Sequence, residues 1–277
     1  MSLRVGTRSS PLALAQAGGI ADRIGGELVE ITTGGDRGIG EDKGRWVDEI
    51  EAALLDRRID LAVHSAKDVP GELAGGLSII GAPARADPRD ALCGAASIAA
   101  LAPAARVGTS SLRRSAQLRA SRPDLEIAEL RGNVGSRLKR LEQGDYDAIV
   151  LARAGLQRLG LDAGEPLEEL VPAPGQGTLA LEARCDDGAA AAAIAPLRDR
   201  SAEQALLAER TLVRALGAGC DTPLGAHCSG DTLRAFVGLP DGSAWIRDEL
   251  TGGNPAEIGR EMGRRMLAAG AKEMLRQ

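Results

Sequence analysis

Short apolar runs alternate with stretches of helical spacing along the first two thirds of the chain, the order of an α/β protein. Leu3 to Gly6, Leu28 to Thr32, Leu61 to Val63 and Leu77 to Gly81 predict strands. Ser10 as N-cap, with Pro11 at the first helical position, opens a helix from Leu12 to Ile24. Val47, Ile50, Leu54 and Leu55 share one side of a second helix, from about Trp46 to Asp56. Between these elements, Thr33 to Lys43 holds Gly34, Gly35, Gly38 and Gly40 among charged residues and reads as a flexible lid.

Ala82 to Asp90 breaks the pattern and reads as a crossing between domains. The opening then recurs. Arg106-Val107-Gly108-Thr109-Ser110-Ser111 repeats Arg4-Val5-Gly6-Thr7-Arg8-Ser9-Ser10, and each leads into a helix, the second from Leu112 to Ser121. Tyr146 to Arg153 repeats Ile59 to His64 in the same way. Two repeats in one order predict two similar α/β domains, each with a serine-rich helix start at the end of its first strand. Val171 to Gly177 is a second Pro/Gly crossing, followed by a strand from Leu179 to Arg184 and helices over Ala189 to Leu197 and Ala202 to Leu216. The remainder predicts a small third unit: a hairpin from Leu233 to Val237 and Ala244 to Arg247 around Pro240-Asp241-Gly242, then a helix from Ala256 to Ala269.

The 277 residues suffice for two or three packed units. Of them 44% are hydrophobic, yet the chain has one Phe, one Tyr and two Trp, so it lacks stacking platforms for single-stranded nucleic acid. A net charge of -5 argues further against nucleic acid as a partner. An acidic ligand must then be held by a local arginine cluster rather than by the overall field. Cys93, Cys185, Cys220 and Cys228 form no metal-ligand spacing with His64 and His227, so no metal is expected. No apolar run is long enough to span a membrane, and Met1 to Thr7 has no signal-peptide character; a reducing cytoplasm is expected.

Three places carry candidate chemistry. His64, Ser65, Lys67 and Asp68 crowd a strand end before Pro70. Asp68 beside Lys67 reads either as a proton-transfer pair or as a solvated strand-end turn. Arg113 and Arg114 follow Thr109, Ser110 and Ser111, bringing hydroxyls, helix N–H groups and two guanidiniums towards one anion-sized spot. Arg131-Gly132-Asn133-Val134-Gly135-Ser136-Arg137 is a second such turn, and Arg8 and Arg158 stand near strand ends or helix starts. Lys139 and Arg140 read as solvated helix surface. Cys220, between Gly217-Ala-Gly and Thr222-Pro223, sits on a tight loop as a candidate nucleophile or attachment point; the other cysteines read as passive.

Together these segments resemble the porphobilinogen deaminase (hydroxymethylbilane synthase) family. The carrying stretches are Gly6 to Gln16, Ala62 to Pro70, Val107 to Arg114, Leu130 to Leu138, Tyr146 to Ala152, Gly175 to Gly177 and the loop holding Gly219-Cys220. The resemblance implies two periplasmic-binding-protein-like domains flanking a cleft, plus a small α+β C-terminal domain. Their bounds would be residues 1–84 with 178–197, residues 85–177, and residues 198–277. It implies a dipyrromethane cofactor joined by a thioether to Cys220, onto which four porphobilinogen molecules are condensed head to tail with loss of ammonia, before hydrolysis releases hydroxymethylbilane. Asp68 would be the acid–base group. Lys67, Ser65, Thr109, Ser110, Arg113, Arg114, Arg131 and Gly132 would bind the cofactor. Arg8, Ser10, Gln16, Arg137, Arg158 and Lys43 would bind substrate. The enzyme would be a cytoplasmic monomer. Two departures from the family touch the presumed lid: the loop from Thr33 to Lys43 is shorter, with Gly34 where a basic residue is common, and Trp46 replaces Phe. A non-catalytic anion-binding protein of the same two-lobed architecture would need the arginines but not Asp68 with Cys220. A phosphate-handling enzyme is disfavoured because the sequence has no P-loop.

Overall fold

A strand leading straight into a capped helix opens each half of the chain. The computed structural model describes residues 2–34, 47–219 and 222–275. Lys43, Trp46 and Cys220, with most of the expected lid, lie outside the described residues. The chain divides into two compact units, Met1–Ala86 with Thr178–Leu206, and Asp87–Gly177 with Leu207–Gln277.

In the first unit, β1 (Arg4–Arg8) runs two residues beyond the expected Gly6 and gives way to α1 (Pro11–Ile24). Ser10 caps α1 by accepting from the Ala13 N–H, and Gly25, in the left-handed conformation, ends it. β2 (Glu27–Ile31), α2 (Asp48–Leu55), β3 (Leu61–Ser65) and β4 (Leu77–Gly81) follow. The second unit begins with β5 (Asp90–Cys93) and β6 (Arg106–Gly108), then α3 (Leu112–Ser121), β7 (Glu126–Ala128), α4 (Val134–Glu142), β8 (Ala148–Ala152), α5 (Arg153–Arg158) and β9 (Glu165–Leu167). β10 (Leu179–Arg184) and α6 (Gly188–Ile194) belong to the first unit, and the division falls within α7 (Arg200–Leu216).

The predicted repeat is present. The first sheet has the order β2-β1-β3-β10-β4 and the second β7-β6-β8-β5-β9. In each, the first three strands are parallel, and the fourth pairs antiparallel with both its neighbours. The repeated glycine has one cause in both sheets. A Cβ on Gly6 would lie 2.3 Å from Ile59 Cδ1, and one on Gly108 would lie 2.8 Å from Tyr146 Cδ1. Apolar side chains already fill the space beside each opening strand.

Strand β3 divides its side chains between two layers. Leu61 and Val63 join Val5, Ala17, Ile20 and Leu181 on the α1 side, while Ala62 joins Ile50, Leu54 and Ile59 on the α2 side. In the second unit Val107, Leu118, Ala148 and Val150 form one layer, and Leu130, Tyr146, Ile149 and Leu156 the other.

The C-terminal hairpin is larger than expected. β11 (Leu224–Ser229) pairs with β12 (Thr232–Gly238), which pairs with β13 (Trp245–Thr251), giving three antiparallel strands. Gly225, His227 and Ser229 interrupt the apolar pattern of β11 and hid it from a periodicity reading. α8 (Pro255–Ala268), capped by Asn254, and α9 (Ala271–Met274) complete the chain. Among the described residues no helix is long and apolar enough to cross a membrane.

Candidate functional site

In the first unit, parallel pairing of β1 and β3 brings their carboxyl ends to one edge of the sheet. There an open pocket is lined by Arg8 from β1, the N-cap Ser10 and Gln16 in the second turn of α1, His64 and Ser65 from β3, and Asp68. Asp68 is the last residue of a single 3-10 turn, Ala66–Asp68, that ends β3. The turn follows from sequence: Ala66 buries itself in an apolar cluster with Val69, and Pro70 stops the strand from continuing. Asp68 and Lys67 are half-buried, and among the described residues Asp68 makes no hydrogen bond or ion pair.

Two neighbours of Asp68 are fixed from below. Gln16, almost fully buried, brings Nε2 to 3.0 Å and Oε1 to 3.2 Å from the Ser65 hydroxyl. The amide can donate to that hydroxyl or accept from it. On the other face of β3, His64 Nε2 lies 3.0 Å from Glu182 Oε2 of β10, with both side chains buried. Glu51 of α2 belongs to the same buried group. Burial pushes its carboxyl up, and the charge of Glu182 adds to the shift. His64 was legible as part of the polar cluster; Glu182, inside an apolar strand, was not.

The second unit gathers the arginines. Ser111 caps α3, with its Oγ 3.5 Å from the Arg114 N–H, and places Arg113 and Arg114 in the first turn. Thr109 is buried; its Oγ1 accepts from the Ser111 N–H at 3.2 Å. Ser110 is exposed and donates to the Leu130 carbonyl at 3.0 Å. The structure supplies an anion for the two guanidiniums from within. Arg113 Nη1 donates to Asp90 Oδ2 at 2.7 Å and to the Val171 carbonyl at 2.8 Å. Arg114 Nε donates to Asp90 Oδ1 at 3.0 Å, and its Nη1 to the Val150 carbonyl at 2.7 Å. All three side chains are buried. The guanidiniums hold the Asp90 carboxyl far below the usual range despite its burial, while burial lowers Arg114. Arg113 Nε is buried and takes no acceptor among the described residues.

The other arginines separate into two kinds. Arg131 is exposed and donates to Glu129 at 2.7 Å, a surface ion pair. Gly132, at φ +112°, turns the chain into α4, and its carbonyl accepts from Arg137 Nε at 2.7 Å. Arg137 is half-buried and its guanidinium is lowered by burial and then by the charge of Arg114. Arg158 ends α5, and its Nη2 donates to the Gly177 carbonyl at 2.6 Å. Burial brings Arg158 down to about 10. Among the described residues neither Arg137 nor Arg158 has a carboxylate partner. A guanidinium taken partly out of water without a counter-charge is suited to a ligand that brings one.

Residues 3–192 match the model "Porphobilinogen deaminase, dipyromethane cofactor binding domain", and residues 204–268 match "Porphobilinogen deaminase, C-terminal domain". A porphobilinogen deaminase of Roseiflexus sp. (strain RS-1) is 45% identical, over 99% of this chain and 98% of that protein. One of Bacillus cereus (strain G9842) is 44% identical, over 98% and 96% respectively. Among solved structures, a periplasmic substrate-binding protein of an ABC transporter from Coxiella burnetii covers 73% of this chain and 94% of its own, at 17% identity and a TM-score of 0.44. Two family models laid end to end, and relatives matched along almost their entire length, make this chain a member of the porphobilinogen deaminase family.

Proposed function

We propose that Asp68 handles the protons, and that Cys220 anchors the cofactor, in this porphobilinogen deaminase. The family gives the reaction: a transferase of tetrapyrrole biosynthesis that condenses porphobilinogen with loss of ammonia and carries dipyrromethane. The observation that carries the residue reading is Asp68, half-buried in a pocket with Arg8 and Ser10, beside the Gln16–Ser65 pair and with no ion-pair partner among the described residues.

The residues present suit acid-bearing pyrroles. Arg137 and Arg158 offer guanidiniums that lack a carboxylate, and Ser10, Ser65, Thr109 and Ser110 offer hydroxyls. When bound, dipyrromethane would supply the pyrrole carbon that accepts the first unit and so primes the chain. Asp68 then faces cationic chemistry throughout. Its carboxylate stabilises positive charge as ammonia leaves the substrate's aminomethyl arm, and receives the proton lost when the new carbon–carbon bond forms. Arg8, Ser10, Gln16, Arg137, Arg158 and Lys43 orient substrate carboxylates. Lys67, Ser65, Thr109, Ser110, Arg113, Arg114, Arg131 and Gly132 hold those of the cofactor. Three domains, residues 1–84 with 178–197, 85–177 and 198–277, divide this work, a reading supported by the separate three-stranded sheet. The enzyme acts as a cytoplasmic monomer; the free thiols of Cys93 and Cys185 accord with a reducing compartment.

Intact mass and turnover, measured on the same samples, test the two roles. The wild-type protein should be heavier than the chain by two pyrrole units, and Cys220→Ser should lose that increment. Asp68→Asn should keep the increment and lose nearly all turnover. An increment that survives Cys220→Ser would place the anchor elsewhere, and normal turnover in Asp68→Asn would refute the acid–base role.

A further inference from the structure

The geometry points to Asp90 as a positioning residue for the carboxylate-binding edge of the second unit. Asp90 fixes the Arg113 and Arg114 forks and clasps the segment around Gln176 against them. The inference rests on the reading of Arg113 and Arg114 as carboxylate-binding groups.

Asp90 is wholly buried at the start of β5. It stands opposite Ala152 of β8 on one side and Leu167 of β9 on the other. Because β5 runs antiparallel to β8, its first residue lies at the carboxyl end of the parallel strands, the same edge from which α3 departs. An isolated carboxylate there would be strongly disfavoured. Its oxygens are saturated instead by three side chains: Arg113 at 2.7 and 3.1 Å, Arg114 at 3.0 Å and Gln176 Nε2 at 3.0 Å.

The same group closes a ring of contacts. Gln176 Nε2 also donates to the Pro88 carbonyl at 2.7 Å, so the segment leading into β5 and the second crossing meet at one amide. The Val171 carbonyl accepts from Arg113 and from Gln117 Nε2, and Val171 N–H donates to Gln117 Oε1 at 2.7 Å. Both guanidinium planes are therefore set by partners that do not move with α3 alone. One carboxylate against two guanidiniums leaves a single net positive charge, and Arg113 Nε remains to be satisfied. Asp90 thus determines where that residual charge points as well as how large it is.

Positioning and charge screening predict opposite signs. If Asp90 only screened the arginines, Asp90→Asn would strengthen anion binding and lower KM. If it positions them, Asp90→Asn raises KM for porphobilinogen by about tenfold or more, and lowers the fraction of protein carrying the two-pyrrole increment. Asp90→Glu keeps the charge and moves the carboxylate by one methylene. It should stay folded by near-ultraviolet circular dichroism yet show the same rise in KM, with a smaller change in kcat. If Asp90→Asn does not fold, Asp90→Glu decides. A fall in KM, or wild-type KM and loading in the folded variants, would overturn the inference. Arg113→Leu and Arg114→Leu separate this from the underlying reading. If they too keep wild-type loading and KM, the arginine assignment fails. If they lose both while the Asp90 variants do not, only the role of Asp90 fails.

Discussion

His64 and Glu182 form a buried pair, Nε2 to Oε2 at 3.0 Å, directly behind the turn that presents Asp68. The pair ties the end of β3 to β10, a strand that enters the chain more than a hundred residues later. Glu182→Leu removes the buried carboxylate that faces the imidazole at 3.0 Å. It should cost about 3 kcal/mol of stability, read as a lowered urea midpoint at unchanged slope. Turnover measured well below the melting temperature should fall as well, because Ser65 and Asp68 follow His64 in the chain. A stability equal to wild type would show that the pair contributes nothing net.

Arg158 is a case of stability set against binding. Burial lowers its guanidinium to about 10, so the charged form is disfavoured by folding until an anion arrives. Arg158→Leu should therefore leave the melting temperature of ligand-free protein unchanged or raised, while KM for porphobilinogen increases by about tenfold. A large loss of stability with unchanged KM would make the hydrogen bond to the Gly177 carbonyl its main task.

Asp60 governs part of the acid stability. Arg4 donates to it through Nε at 3.0 Å and Nη2 at 2.8 Å, and the backbone N–H of Arg4 donates at 3.0 Å. The side-chain hydrogen bond lowers the Asp60 carboxyl from 3.8 to about 2. A folded-state value below the unfolded one means that the contribution is complete above 3.8 and is lost as pH falls through about 2. Unfolding titrations at neutral pH and at steps below pH 4 should show Asp60→Asn less stable than wild type at neutral pH, with the difference shrinking towards pH 2. A constant difference across that range would contradict the linkage.

Much of this architecture was legible where local signals agree. α3 and β10 have the bounds read from sequence, because Ser111 caps the one and a clean apolar run makes the other. The doubled sheet was visible through Gly6 and Gly108, whose small size each opening strand needs. What escaped was non-local. β5 begins with the charged Asp90 two residues after Pro88, so its first residue read as part of a crossing. The partner of Arg113 lies 23 residues upstream, and that of Gln16 lies 49 residues downstream. No periodicity or spacing rule announces such pairs; they exist only once the sheets have closed. The arginines were therefore legible as a group, while their sorting into Asp90-bound, surface-paired and uncompensated members was not.

The strand order also sets a timetable for synthesis. The second sheet takes all five of its strands from one continuous stretch, β5 through β9, whereas β3 and β4 of the first are joined only through β10. A chain emerging from the ribosome can finish the later sheet while the earlier one still waits for its missing middle. Until then β3 exposes an unpaired edge, and the His64 imidazole lacks its carboxylate neighbour. The sheet whose edge bears Asp68 is begun first yet closes only after the second one, which exposes it to aggregation or chaperone capture during translation.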